Sequence, residues 1–356
     1  QNQLIFLGYF NRPLSATIFI IFLLLFFIFY LLFLYLIKQN KLSFKNVLLL
    51  IGITCTILFF SYSAFSHDLF NYMFDARIVT AYHQNPYLYS ALDYPADLWT
   101  RFMHWTHRTY PYGPIWLLLT LPASFFGFGK FVITLFNFKL LFTVFHLGNI
   151  FLIYKNLSKI SPKNTLLGVV FYALNPLILI ESLISPHNEV MMLFFLLSAI
   201  YFLLIRKNNL SAILLLLLSA GIKFITVILL PLFLIHAVTP IIKKNLDKHL
   251  NLVLVLIFYI LIPPLFYEIY LREPYSWYFI PVIGIGALLI KYTKIYILLI
   301  GISLGTLFRY TPYLFTGEYS KSLRLTQDLI FIAIVVLTFI VAVFQNRFRK
   351  AINNKF

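Results

Sequence analysis

The amino-acid sequence predicts an all-α polytopic membrane protein with roughly nine to twelve hydrophobic helices. Three observations carry this. Of 356 residues, 61% are hydrophobic and 11% are charged, against about 45–50% and about 25% in soluble domains. The apolar runs are continuous rather than alternating, which excludes a β-barrel. The 28 Lys and Arg exceed the 11 Asp and Glu, for a net charge of +17, and they sit in short gaps between apolar runs. A nucleic-acid binder carries such an excess on a soluble basic face. Here it follows the loop bias that orients membrane helices. The lipid bilayer is therefore an expected partner and nucleic acid is not. Cys55 is the single cysteine, so no intramolecular disulfide is possible.

The elements follow in order. Leu14–Ile37 is free of charge and exceeds the roughly 20 residues that cross a bilayer. It is too long for a signal-peptide core and lacks a small-residue cleavage site. Lys38, Lys41 and Lys45 place the next turn in the cytoplasm. Residues 46–64 then cross outward. The segment 65–113 is polar and aromatic and is read as an external loop, with amphipathic interfacial helices over 68–83 and 96–107, the second anchored by Trp99 and Trp105. Pro114–Phe126 covers only about 20 Å as a helix, which suits a re-entrant or interfacial piece beside one full crossing over 131–154. Residues 165–183 exit and 189–205 return. Residues 210–238 begin and end near cytoplasmic charge, because Lys243, Lys244 and Lys248 follow. They read as a tight hairpin broken at Gly221-Ile222-Lys223. Crossings over 250–267, 277–290, 295–308 and 328–344 complete the chain. Residues 309–327 are read as an external loop and 345–356 as a basic cytoplasmic tail with Arg347, Arg349, Lys350 and Lys355. The whole of 1–356 is one integral-membrane domain, with C-terminal helices over 281–344.

On this map the acids divide unevenly. Asp247 alone is cytoplasmic. Asp68, Asp75, Asp93, Asp97, Glu181, Glu189, Glu268, Glu273, Glu318 and Asp328 all fall in external loops or at external helix ends. Glu181 and Glu189 flank a helix break, Ser185-Pro186-His187-Asn188. Ionisable groups at membrane depth are costly and point to function. The polar loop, this break and Lys223 together suggest one cavity at the outer interface, where a lipid-linked phosphate presents its head group.

A series of short motifs supports that direction. Ser66-His67-Asp68-Leu69-Phe70-Asn71-Tyr72 leads to Ala76-Arg77, Asn85-Pro86-Tyr87 and Tyr110-Pro111-Tyr112-Gly113-Pro114. Ala173-Leu174-Asn175-Pro176, Glu181, His187-Asn188-Glu189, Gly221-Ile222-Lys223, Pro231 and Ser276-Trp277-Tyr278 follow. In order and spacing, over about residues 60–280, this resembles the GT-C superfamily of integral-membrane glycosyltransferases. Within it, the likeness is to bacterial polyprenyl-phosphate-mannose-dependent mannosyltransferases of the PimE and mycobacterial α-1,6-mannosyltransferase kind. Two positions depart from the usual pattern: Glu189 stands where Asp is usual, and Phe224 where Pro often follows the lysine.

The resemblance implies an inverting transfer of a sugar, mannose first, from a polyprenyl phosphate to a hydroxyl of a glycolipid or cell-envelope glycan. It implies a prokaryotic plasma membrane and an active site on the external face. Asp68 matches the family's catalytic aspartate, and a positioned carboxylate suits the base an acceptor hydroxyl needs. Cations near the bridging phosphate stabilise its developing charge, for which His187, Lys223, Arg272 and Arg309 are candidates. Asp75, Arg77, Tyr112, Glu181, Asn188, Glu189, Trp277 and Tyr278 are further substrate-binding candidates. No protein metal site is expected, and a divalent cation is left open.

Each has a plainer reading beside it. Asp68 can cap a helix, Lys223 can snorkel, Arg272 and Arg309 can meet lipid head groups, and Glu181 and Glu189 can bond across the break. A Gly-rich phosphate loop of the nucleotide-sugar kind is absent. A transporter or lipid flippase also carries broken helices and intramembrane charge. It calls for internal pseudo-symmetry, which the two halves of this sequence lack.

Overall fold

The computed structural model describes the backbone of Phe6, residues 10–238 and residues 246–353, with side chains outside 246–249 and 345–353. Lys243, Lys244 and Lys355 lie outside the described residues, as do the side chains of Asp247, Lys248, Arg347, Arg349 and Lys350. Among the described residues the regular elements are all helical. Among these residues six helices are long and apolar enough to cross a membrane, or seven if a bent pair counts as one span. Five shorter apolar helices pack among them. This is the architecture of an integral membrane protein, at the upper end of the helix count expected.

The chain opens with α1 (Arg12–Lys38), started by the Asn11 side chain and Pro13, and α2 (Phe44–Phe59), capped by Ser43. Then α3 (Asp68–Thr80) and α4 (Pro114–Phe125) bracket the polar loop. α5 (Phe131–Ile160) is a full crossing. α6 (Thr165–Ala173) and α7 (Pro176–Leu179) meet at a 51° bend, and α7 runs on as a π-turn over Ile180–Ile184. α8 (Glu189–Tyr201) ends in a second π-turn, closed by Lys207 in the left-handed region. α9 (Asn209–Ala220) stops at Gly221–Lys223, and a 3₁₀ stretch leads into α10 (Leu230–Val238). α11 (Leu246–Leu271), α12 (Ile280–Leu288), α13 (Thr293–Phe308), α14 (Tyr310–Thr316) and α15 (Lys321–Asn353) complete the order.

The core lies around α8 and α12. Every residue of α12 is buried, while α1 and α15 keep long apolar faces outward, as lipid requires. Buried amides tie the core helices. Asn149 and Asn156 are two turns apart on α5, and they donate to the Val190 carbonyl at 2.9 Å and the Leu197 carbonyl at 3.4 Å on α8.

Two expectations are corrected. No α-helix forms over 96–107. Asp97 accepts from the Trp99 amide at 3.0 Å and so starts only a 3₁₀ turn, Leu98–Phe102, after which Met103 is extended. Residues 309–327 are not a long loop. α14 and the start of α15 fill them, and Gly317 supplies the left-handed turn between, at φ 75°.

The bend before α7 is held by Asn175. Its Oδ1 accepts from the Leu177 amide at 3.0 Å and from the Ser303 hydroxyl at 2.6 Å, and its amide donates to the Tyr30 hydroxyl at 3.4 Å. One side chain thus caps α7 and joins α1 to α13. Asn175→Ala removes the cap and strands a buried hydroxyl, so it should cost about 2 kcal/mol. The check is the thermal midpoint of the detergent-solubilised protein, which should fall by several degrees.

Candidate active site

The site grows from the break between α7 and α8. The π-turn closes when the Ser185 amide reaches the Ile180 carbonyl at 2.8 Å, and the Glu181 carbonyl then accepts from the His187 amide at 3.0 Å. Pro186 has no amide to satisfy. The Ser185 hydroxyl accepts from the Phe65 amide at 2.9 Å, so the polar loop docks on the break. That docking sets Asp68 at the first position of α3, where the helix dipole favours a carboxylate.

Three groups then form a chain, which two hydroxyls anchor. Asp68 Oδ2 lies 3.6 Å from His187 Nε2, and His187 Nδ1 lies 3.1 Å from Glu181 Oε2. The other Glu181 oxygen accepts from Ser276 at 2.5 Å and Tyr310 at 3.0 Å. His187 stacks on Trp277 at 4.1 Å and 10°, and Tyr275 covers the opposite face of Trp277 at 4.5 Å and 5°. Burial pulls the His187 pKa down, but Glu181 and the charges of Asp68 and Glu189 outweigh it, and the net direction is up. His187 thus sits between two carboxylates under an indole.

Beside this chain, Lys223 pairs with Glu189. Its position depends on a close backbone approach. The Gly113 amide donates to the Ile222 carbonyl at 3.1 Å and the Ile115 amide to the Gly221 carbonyl at 3.0 Å. A Cβ on Gly113 would sit 2.1 Å from the Gly221 carbonyl oxygen, so glycine is required there. The Lys223 ammonium is 5.1 Å from the centre of the Tyr278 ring, and Arg272 reaches the Tyr278 hydroxyl at 3.4 Å. Tyr112 packs edge-on to Tyr72 at 5.4 Å, and its pKa is raised, by burial first and then by Asp68. Asp75 is buried on the next turns of α3. Burial lifts its pKa to about 8, with Arg108 opposing and Asp68 adding to the rise. Asn188 is fully buried, and its side-chain amide has no hydrogen-bond partner among the described residues.

The structure thus brings together Asp68, Asp75, Tyr112, Glu181, His187, Asn188, Glu189, Lys223, Trp277 and Tyr278, with Arg272 at the margin. Two residues are held elsewhere. Arg77 pairs with Asp97 at 2.6 Å and lies 4.3 Å over Trp99, where it braces the loop. Arg309 is taken up by Glu273 at 3.2 Å and Asp328 at 2.9 Å. Trp277 offers no open ring face to a sugar, since His187 and Tyr275 cover both. Ser276, Tyr310 and Arg108 belong to the site and were not singled out as candidates. Ser276 opens the motif Ser276-Trp277-Tyr278 and Arg108 lies just before Tyr110-Pro111-Tyr112, whereas nothing local marks Tyr310, which is 129 positions from the glutamate it serves. Among the described residues no group of three or more His, Cys, Asp and Glu is placed to hold a metal ion.

An all-helical bundle with buried carboxylates and cations gathered at one helix break defines an integral membrane protein with a charged site in its bundle. The chain matches the alpha-(1->6)-mannopyranosyltransferase family, N-terminal domain, over residues 3–239, and belongs to that family. It is a membrane glycosyltransferase that transfers mannosyl groups. No curated protein and no solved structure matches it.

Asp75 gives a pH test. Its folded pKa of about 8 lies above the ordinary carboxylate value of 3.8. Between those limits the unfolded chain has released a proton that the folded one keeps, so stability falls as pH rises from about 4 to about 8. Asp75→Asn should flatten that slope, read as melting temperature against pH.

Proposed function

We propose that the protein moves mannose from a polyprenyl phosphate to a hydroxyl of a glycolipid or cell-envelope glycan. In this reading the transfer inverts the anomeric carbon and takes place on the external face of a prokaryotic plasma membrane. The observation that carries it is the Asp68–His187–Glu181 chain. Glu181 is wholly buried and committed to Ser276, Tyr310 and His187. Glu189 is committed to Lys223. Asp68 keeps some exposure, 13% of its side chain, and its one ion contact, to His187 at 3.6 Å, is longer than that of His187 with Glu181 at 3.1 Å. It is the carboxylate with capacity left for a substrate proton.

The step then runs as follows. The acceptor O–H proton passes to Asp68 as the oxygen attacks the anomeric carbon, and the C–O bond to the phosphate breaks. The lipid phosphate leaves with the electron pair. No general acid is needed for that group, and Lys223, with Arg272 beside it, meets the developing charge. His187 holds Asp68 in place and is itself held by Glu181 and Trp277. The external face is supported by the loop lysines at the opposite helix ends, such as Lys38, Lys41, Lys155, Lys159 and Lys163. The sugar comes from the family, and the lipid-linked donor from the motif resemblance.

Membranes carrying labelled polyprenyl-phosphate-mannose test it. Asp68→Asn should lower transfer by about 10²–10⁴-fold, with protein level and donor binding near those of the wild type. Full activity in that variant would remove Asp68 from the role of base.

A further inference from the structure

One charged group at membrane depth has no part in this chemistry. Lys139 lies on α5, eight residues in from Phe131, or about 12 Å along the helix. It is 3% exposed. Its ammonium donates to the Leu183 carbonyl, to Ser61 Oγ at 3.3 Å and to the Ile184 carbonyl at 3.4 Å. Among the described residues no carboxylate pairs with it, since every ion pair involves other cations. Carbonyl oxygens satisfy its protons but do not cancel its charge. A buried cation without a counter-charge is costly in hydrocarbon, which marks it as a place for function.

Lys139 also lines a cavity of about 150 Å³ between α2, α3 and α5, together with Ser61, Phe60, Tyr62, Phe70 and Phe136. The rim looks outward: Phe60 is 68% exposed, Tyr62 62% and Phe136 38%. In a membrane helix bundle an exposed apolar aromatic rim faces lipid. The cavity is thus aromatic at a mouth open sideways to acyl or prenyl chains, and polar and cationic at its inner end. Leu69 and Phe70, which line the cavity, directly follow Asp68.

We propose that Lys139 and Ser61 form a binding subsite for the phosphate of a lipid phosphate monoester or diester, its chain leaving between Phe60, Tyr62 and Phe136. The phosphate supplies the missing counter-charge and accepts from the ammonium in place of its two long contacts, Ser61 at 3.3 Å and the Ile184 carbonyl at 3.4 Å. The subsite lies against the first turn of α3, the turn that Asp68 opens, so a lipid-linked donor admitted from the bilayer would reach the break with its head group first. This last point rests on the lipid-linked donor proposed above; the phosphate subsite does not.

The test uses the full chain in nanodiscs with dodecyl phosphate, dodecanol, inorganic phosphate and a polyprenyl phosphate as probes. Lys139→Met should weaken dodecyl phosphate and polyprenyl phosphate binding about tenfold and leave dodecanol unchanged. Ser61→Ala should give a smaller loss with the same selectivity. Inorganic phosphate should not compete with either lipid. The subsite is overturned if Lys139→Met binds dodecyl phosphate as the wild type does. It is equally overturned if dodecanol is lost in parallel, for then Lys139 only caps the carbonyls of the π-turn, or if free phosphate competes at similar affinity. Should Lys139→Met not fold, Phe136→Trp carries the test: it fills the mouth and should weaken dodecyl phosphate, and unchanged binding there would also overturn the subsite. Lys139-dependent dodecyl phosphate binding, in a wild type that transfers nothing from polyprenyl-phosphate-mannose, would instead sink the donor reading and leave the subsite standing.

Discussion

The structure depends on a stretch of non-helical backbone buried at the end of a membrane bundle. From Ile180 to Asn188 the chain leaves the α-helical bonding pattern, and a bilayer offers no water to the groups this frees. Every partner has to come from the protein. Lys139 takes the carbonyls of Leu183 and Ile184, and the polar side chains of the break are met by the Phe65 amide on Ser185, the Ser276 and Tyr310 hydroxyls on Glu181 and the Trp277 indole on His187. These partners come from widely separated parts of the chain, so satisfying the break pulls the polar loop, α5, the turn before α12 and α14 to one point. The site follows from that demand.

The same demand sorts the charges. Asp68, Glu181 and Glu189 meet His187 and Lys223 within one small volume. Glu181 is spent on fixing His187, and Glu189 on fixing Lys223. What remains is an aspartate at a helix start, partly open and steadied from one side only. A site of this kind gains precision because its supporting groups have no alternative partner. The left-out cation, Lys139, fits the pattern from the other side, since it caps the carbonyls of Leu183 and Ile184 where the break begins.

Much of this was legible in the sequence because hydropathy and backbone punctuation are local. The crossings of α1, α5, α8 and α13 and the stops at Ser185–Asn188 and Gly221–Lys223 all carry their signal within a few residues, whereas residues 165–183, read as one crossing, are bent by 51° between α6 and α7. The misreadings have equally local causes. Residues 96–107 look amphipathic, but Asp97 spends its carboxylate on the Trp99 amide, Tyr82 and Arg77, and the helix does not propagate. Residues 309–327 look like a loop because their charges hide that Arg309, Glu273 and Asp328 neutralise one another in a packed joint. Arg77 and Arg309 illustrate the general limit. A cation in a motif and a cation in a brace have the same letters, and only the position of the nearest carboxylate, set by tertiary packing, separates them.

That joint bears on where the enzyme ends. The family match stops at residue 239, and Asp68, Glu181, His187, Glu189 and Lys223 all precede that limit. Yet the groups that hold Glu181 and His187 come after it: Ser276, Trp277 and Tyr310. Those three are in turn kept in register by Arg309, which binds the Pro274 carbonyl at 3.3 Å, Glu273 and Asp328, and by Gln327, which donates to the Arg309 carbonyl at 2.8 Å. Without this segment Glu181 would be a fully buried carboxylate facing His187 alone, a costly arrangement. The N-terminal part carries the groups placed for chemistry and the C-terminal part carries the restraint that gives them a geometry. The two are packed as one unit, joined at this point by the buried Glu181, by the His187–Trp277 stack and by Lys223 against Tyr278.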